Sequence, residues 1–312
     1  MNEGKARLSA ISEWLGGRVA RDAEFGNLGF AIHEGPGLLT WLEARRYLPE
    51  ILANHAISAV IAPPALADLV PAGMGLLLHE KAREAFYRLH NHLALDTTFY
   101  GARKATTVHP EARVAGDAYV APMGVEISEG AVVEPGARLL PDTRIGPRAV
   151  IRAGAVIGSQ GFQFAKIGGK LTAIEHVGGV RVEEEAEICA NANVSRAIFR
   201  GDTVIGPQAK VDALVHIAHN VRVGARTSVV AGSVISGSVV IGNDVYIGPG
   251  VTVTNCIRIG NGARITMGSV VVRSVAPGQH VTGNWALPHA DFMRAYGRFA
   301  AKPNPSMNKE TP

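Results

Sequence analysis

IGPQAKVDALVHIAHNVRVGARTSVVAGSVISGSVVIGNDVYIGPGVTVTNCIRIGNGARITMGSVV, residues 205–271, carries a β-branched aliphatic residue at every sixth position. The series runs Ile205, Val211, Ile217, Val223, Val229, Ile235, Ile241, Ile247, Val253, Ile259, Ile265 and Val271 without exception. Upstream the same period links Ile127 to Ile157, joins Val108, Val114 and Val120, and returns in Val182, Ile188 and Val194. A period of six is neither the 3.6 of a helix nor the 2 of a lone strand. It is the mark of a hexapeptide-repeat β-helix, in which each hexad is one short strand and a turn, and three hexads close a triangular coil. β-branched side chains stiffen extended backbone and pack on a pleated surface. The Gly, Asn, Asp and Pro that follow them, as in IGPQAK and IGNDVY, supply the corners. The fold class expected is therefore mainly β, a parallel β-helix.

Residues 1–100 lack the period and read as a small α/β domain. ISAVIAP (57–63) is a buried strand stopped by Pro63 and Pro64. EARRYLPEILANH before it reads as a helix with Pro49 in or near its first turn. Lys81 to Leu95 reads as an amphipathic helix through Ala85, Phe86, Leu89 and Leu93. Residues 96–107 read as a linker, 101–283 as the coil domain, and 284–312 as a short helix and a polar tail, disordered after Lys302. The coils break twice: register is lost from Ser159 to Gly179, and Val194 to Ile205 spans 11 residues instead of 12. Loops leaving a rigid scaffold are where sites are commonly built.

With 312 residues the chain is long enough for more than one core. The net charge of +4 is spread out, and no basic run interleaves with aromatics, which argues against a nucleic-acid partner. Cys189 and Cys256 form neither a disulfide framework nor a metal knuckle. No signal-like start and no run of about 18 apolar residues occurs, so a cytoplasmic protein with at most peripheral membrane contact is expected.

One hexad carries chemistry: VHIAHN, with His216, His219 and Asn220. Three hexads per coil stack residues 18 apart at roughly 4.8 Å, which sets Gly237 over His219. A histidine beside an approachable backbone N–H pairs a general base with an oxyanion donor, the minimal equipment of acyl transfer. Asn220 has a plainer reading as a corner residue.

The run IGSQGFQFAK, then HVGGVRV and VDALVHIAHNVRVG, resembles the UDP-3-O-(3-hydroxyacyl)glucosamine N-acyltransferases of lipid A biosynthesis, as do LLTWLEARRYL, ISAVIAPP and AREAFYRLHNHL nearer the start. The resemblance implies a left-handed β-helix and a homotrimer with active sites between subunits. It implies a 3-hydroxyacyl thioester donor on the phosphopantetheine of acyl carrier protein (or acyl-CoA), with no bound cofactor and no metal. The acceptor would be the amine of a UDP-linked, 3-O-acylated glucosamine. On that resemblance His219 is the general base and Gly237 the oxyanion donor. Asp212 accompanies the base, Phe162 and Phe164 approach the sugar and acyl parts, and Trp41 and Tyr47 flank the uracil. His216, Asn220 and Cys256 complete the candidate substrate contacts.

The departures from the family pattern are specific. Cys256 replaces a second active-site histidine, Ser195 and Ala197 stand in an Asp-Arg-Gly element, Ala44 (beside Glu43) replaces an Asn of the uridine site, and Gln163 replaces a loop glycine. His176 reads as a solvent-exposed loop histidine. Other readings stay open: an N-acyl- or N-acetyltransferase on another nucleotide amino sugar, and a non-catalytic trimeric scaffold. A zinc hydratase fares worse, because the residues 18 away from His216 and His219 are Ile198, Val234, Gly201 and Gly237, none a metal ligand.

Overall fold

The computed structural model describes residues 4–35, 37–283, 286 and 288–300. The predicted tail beyond Lys302 lies outside them. The first unit is a five-stranded sheet built from β1 (Arg18–Arg21), β2 (Asn27–Leu28), β3 (Leu38–Trp41), β4 (Ile57–Ala62) and β5 (Gly75–Leu78). Its order is β1-β5-β4-β3-β2, with β1 antiparallel and the rest parallel. Helix α1 (Leu8–Leu15), α2 (Leu48–Ala53) and α3 (Ala82–Leu95) flank it. Pro49 falls in the first turn of α2, where its missing N–H costs no helical bond. On α3, Ala85, Phe86, Leu89 and Leu93 are buried at helical spacing, as expected.

The coils form three parallel sheets of eight, eight and nine strands. The hexad aliphatics from Ile127 to Ile265 face inward, nearly all of them 2% exposed or less. A second inward column, two residues earlier, is filled mostly by Ala or Val: Ala131, Ala137, Ala149, Ala155 and Ala186 each have no exposed surface. A face of six residues has room for one branched and one small side chain. Undisturbed coils pair at an offset of 18, as Val132 with Val150 and His216 with Val234.

The two breaks are insertions. Ile145 pairs with Val182, an offset of 37, because the intervening loop carries an antiparallel hairpin, β6 (Phe164–Ile167) and β7 (Lys170–Ala173). Val182 pairs with Ile205, an offset of 23, so the second break adds five residues to one corner and does not drop one. Those residues weld the two units together. Ile198 and Phe199 enter the core of the first unit, where Phe199 meets Phe30, Phe86 and His90 with ring centroids 4.8–5.6 Å apart. Residues 96–107 are likewise more than a linker: Phe99 is 1% exposed in that core, and the Tyr100 hydroxyl lies 3.0 Å from His90 Nδ1. Helix α4 (His289–Ala300) follows the last coil, where the sequence predicts it. Among the described residues no helix is long and apolar enough to cross a membrane.

Candidate active site

His219 sits at a coil corner and is 9% exposed. The next residue holds its ring. Asn220 adopts φ 60°, a left-handed conformation that asparagine tolerates better than most residues. Its Oδ1 accepts the Ile198 N–H at 3.0 Å and stands 3.2 Å from His219 Nδ1. Because a backbone donor identifies that atom as the carbonyl oxygen, His219 must donate Nδ1–H to it. The neutral ring therefore keeps its lone pair at Nε2. Burial lowers the His219 pKa, the Asn220 bond opposes that, and His216 adds a small further lowering. The ring is a neutral base at pH 7.

Gly237 lies directly over this ring. A Cβ there would stand 2.3 Å from Cε1, 2.7 Å from Nε2 and 2.9 Å from Nδ1 of His219. Its N–H makes no backbone bond among the described residues. Pro122 and Pro141 occupy the same corner on other coils, so the ladder does not need that donor. A free N–H beside a base is what a developing oxyanion requires.

The ring faces a cavity of about 690 Å³ that the first unit closes. Trp41, Tyr47, Tyr87, Phe162, His219 and Gly237 line it. Ser238 and Cys256 form the coil-side wall, and Glu43, Glu50 and Arg83 bring charge from the other side. Trp41 is braced by Phe86 at 4.6 Å and by Phe30 at 5.5 Å between ring centroids. The structure thus assembles Trp41, Tyr47, Phe162, His219, Gly237 and Cys256 within one chain.

Other predicted positions fall elsewhere. Phe164 packs against Phe162 with centroids 4.8 Å apart and the rings tilted by 57°, but faces a neighbouring groove of about 490 Å³ that shares Glu43, Arg83 and Tyr87. Asp212 is not brought to the cavity: its carboxylate accepts the Ala213 and Ala231 N–H groups at 2.7 and 3.1 Å, stapling one coil corner to the next. His216 points outward from its strand, its Nδ1 3.2 Å from Asn193 Nδ2. Asn220 acts on the ring of His219 and does not line the cavity. Among the described residues no three His, Cys, Asp or Glu side chains gather as metal ligands.

Three residues that sequence reasoning missed or misread border the site. His33, from the loop after β2, accepts the Phe30 N–H at Nδ1, so its Nε2–H donates to Ser238 Oγ at 3.3 Å. Burial pushes its pKa down to about 4. Neither His33 nor Ser238 carries a periodic signal; only adjacency to Gly237 marks Ser238. His176, expected on a solvent-exposed loop, is 3% exposed with its ring centroid 5.6 Å from that of His219.

The family profile described as "Bacterial transferase hexapeptide (six repeats)" matches residues 124–159 and 202–237. A UDP-3-O-acylglucosamine N-acyltransferase of Pseudomonas syringae pv. tomato is 31% identical over 259 residues, covering 72% of this chain and 70% of that protein. One from Pseudomonas fluorescens is 33% identical over the same length and coverage. A solved UDP-N-acetylglucosamine acyltransferase is similar at 21% identity, with a TM-score of 0.47 over 65% of this chain and 85% of that one.

Proposed function

Since this chain belongs to the UDP-3-O-acylglucosamine N-acyltransferase family and is an N-acyltransferase, we propose that it transfers a 3-hydroxyacyl group from acyl carrier protein to the amine of a UDP-linked, 3-O-acylated glucosamine in lipid A biosynthesis. The observation that carries this reading is the neutral His219 ring, its tautomer set by Asn220, at the wall of an aromatic-lined cavity. In the proposed reaction the amine nitrogen attacks the thioester carbonyl carbon while His219 Nε2 takes its proton. Gly237 N–H faces the oxygen that becomes negative in the tetrahedral intermediate. The C–S bond then breaks, and the proton on His219 passes to the departing sulfur. Trp41 and Tyr47 offer flat apolar faces to the uracil, and Arg83 offers a cation to the diphosphate. The functional assembly proposed is a homotrimer.

A second reading keeps the chemistry and changes the sugar. Glu43 and Glu50 on the cavity wall repel a diphosphate, and Cys256 occupies a corner of the site where a second histidine is usual. Both favour a different nucleotide-linked amino sugar, with an acyl or acetyl donor. Mass spectrometry of purified protein with UDP-3-O-(3-hydroxyacyl)glucosamine and a panel of carrier-protein and CoA thioesters separates the two. Turnover with the hydroxyacyl carrier protein is expected; acylation of only another amino sugar refutes the first reading. His219→Ala should lower kcat by about 10²-fold or more while the fold persists, and a near wild-type rate would remove His219 from the mechanism.

A further inference from the structure

His176 has a nitrogen with nothing to do. Its Nδ1 lies 2.9 Å from the Ile174 carbonyl oxygen, which can only accept, so Nδ1 carries the hydrogen and Nε2 is a bare lone pair. That Nε2 is buried without any hydrogen-bond partner among the described residues. Leaving such a group buried and unpaired is costly. The ring is not there by slack. Helix α3 clamps the segment that bears it: Asn91 bonds the Ala173 carbonyl at 2.8 Å and the Glu175 N–H at 3.0 Å, and His90 Nε2 donates to the Glu175 carbonyl at 2.8 Å.

The bare nitrogen and the His219 ring both stand against Gly161, where only a residue without a side chain fits. A Cβ on Gly161 would stand 2.6 Å from His176 Nε2 and 3.2 Å from His219 Cδ2, the atom bonded to the base nitrogen. Gly161 is the backbone that covers His176 Nε2. Its neighbour Phe162 is 88% exposed at the cavity.

We infer that His176 is a specificity-determining residue that accepts the second N–H of the attacking amine, while His219 accepts the first. The inference rests on the N-acyl transfer proposed above. A neutral primary amine has two hydrogens and one lone pair; giving one hydrogen to each imidazole leaves the lone pair as the only group free to face the thioester carbon. A hydroxyl has one hydrogen and cannot satisfy both rings, so the pair favours an amine over the corresponding alcohol. Burial and the neighbouring His219 hold His176 down to about 4, which keeps its lone pair free across the working pH range.

The test uses full-length protein, the hydroxyacyl carrier-protein donor, and two acceptors: UDP-3-O-acylglucosamine and the same compound with a 2-hydroxyl in place of the amine. His176→Leu fills the space without an acceptor, and His176→Gln restores one through Oε1. The Leu variant should melt within a few degrees of wild type, lose about 10–10²-fold in kcat with the amine, and narrow the amine-over-alcohol preference by about tenfold or more. The Gln variant should recover most of both. An unchanged preference and kcat in the Leu variant would overturn the inference while leaving the acyl-transfer reading intact. An inert wild-type protein would overturn that reading itself, and the inference with it.

Discussion

Gly237→Ala tests the apposition of base and backbone donor. Gly237 is not at positive φ, so alanine meets no backbone strain there. Its methyl carbon, however, would lie 2.3 Å from His219 Cε1, well inside van der Waals contact. The ring cannot swing away freely, because Asn220 holds Nδ1 and the His176 ring stands beside it with centroids 5.6 Å apart. Relief requires turning the imidazole or lifting a coil corner, and overpacking of this kind costs about 1–3 kcal/mol. Displacing Nε2 by about 1 Å should cut kcat about 10²-fold. Denaturant unfolding and steady-state kinetics read the two effects. The discriminating experiment repeats Gly237→Ala in a His219→Ala background, where the methyl has no ring to strike. There the stability loss should shrink to near zero, a coupling of about 1–3 kcal/mol between the sites. Equal losses in both backgrounds, or a wild-type kcat in the single variant, would show that the ring does not occupy that position.

Asn220→Gly removes the oxygen that fixes the His219 tautomer, so kcat should fall about tenfold or more, with a stability loss of at most about 1–3 kcal/mol from the Ile198 N–H left unpaired, offset in part by the relieved left-handed corner; an unchanged kcat would dismiss the tautomer argument. Phe199→Ala should destabilise by about 3–5 kcal/mol and separate the unfolding of the first unit from that of the coils, as followed by aromatic and far-ultraviolet signals; a single transition near the wild-type midpoint would contradict the weld. Burial holds His33, His90 and His176 each down to about 4. The unfolded chain therefore binds more protons between about 6.5 and 4, and stability, full above that window, should fall with pH through it. The slope is up to about 1.4 kcal/mol per pH unit for each histidine; denaturation midpoints that stay level from pH 7 to 5 would refute it.

The coil scaffold was readable because a branched aliphatic at every sixth position has no helical or simple-strand explanation. The companion alanine column was not, since alanine is common everywhere and marks the narrow interior only once the three faces are closed. A period also cannot say how a gap of 11 arises. One hexad plus five extra residues and two hexads minus one give the same interval, and only the pairing of Val182 with Ile205 decides it. The stacking of Gly237 over His219 was legible because an offset of 18 follows from the repeat. The corner role of Asp212 was not legible, because it lies in two backbone N–H groups that a resemblance does not display. His176 looked exposed because it belongs to a loop, yet α3 from a sequence-distant unit covers that loop. His33 reaches the site only through a fold in which residue 33 meets residue 238.

The corner that holds Asn220 recurs as Ser238 and Cys256 on the next two coils, all three near φ 60°. At this position the backbone shape is fixed by the repeat, while the side chain leaves the aliphatic interior entirely. Exchanging Ser238 or Cys256 rewrites a contact at the wall of the cavity, and exchanging Asn220 changes the hold on the His219 ring, without disturbing the branched column three residues earlier. Such a corner works like a slot in a rack. An ancestral coil array could be refitted from one acceptor to another by changing slots singly, each intermediate still folded, and a laboratory library confined to residues 220, 238 and 256 would explore that route directly.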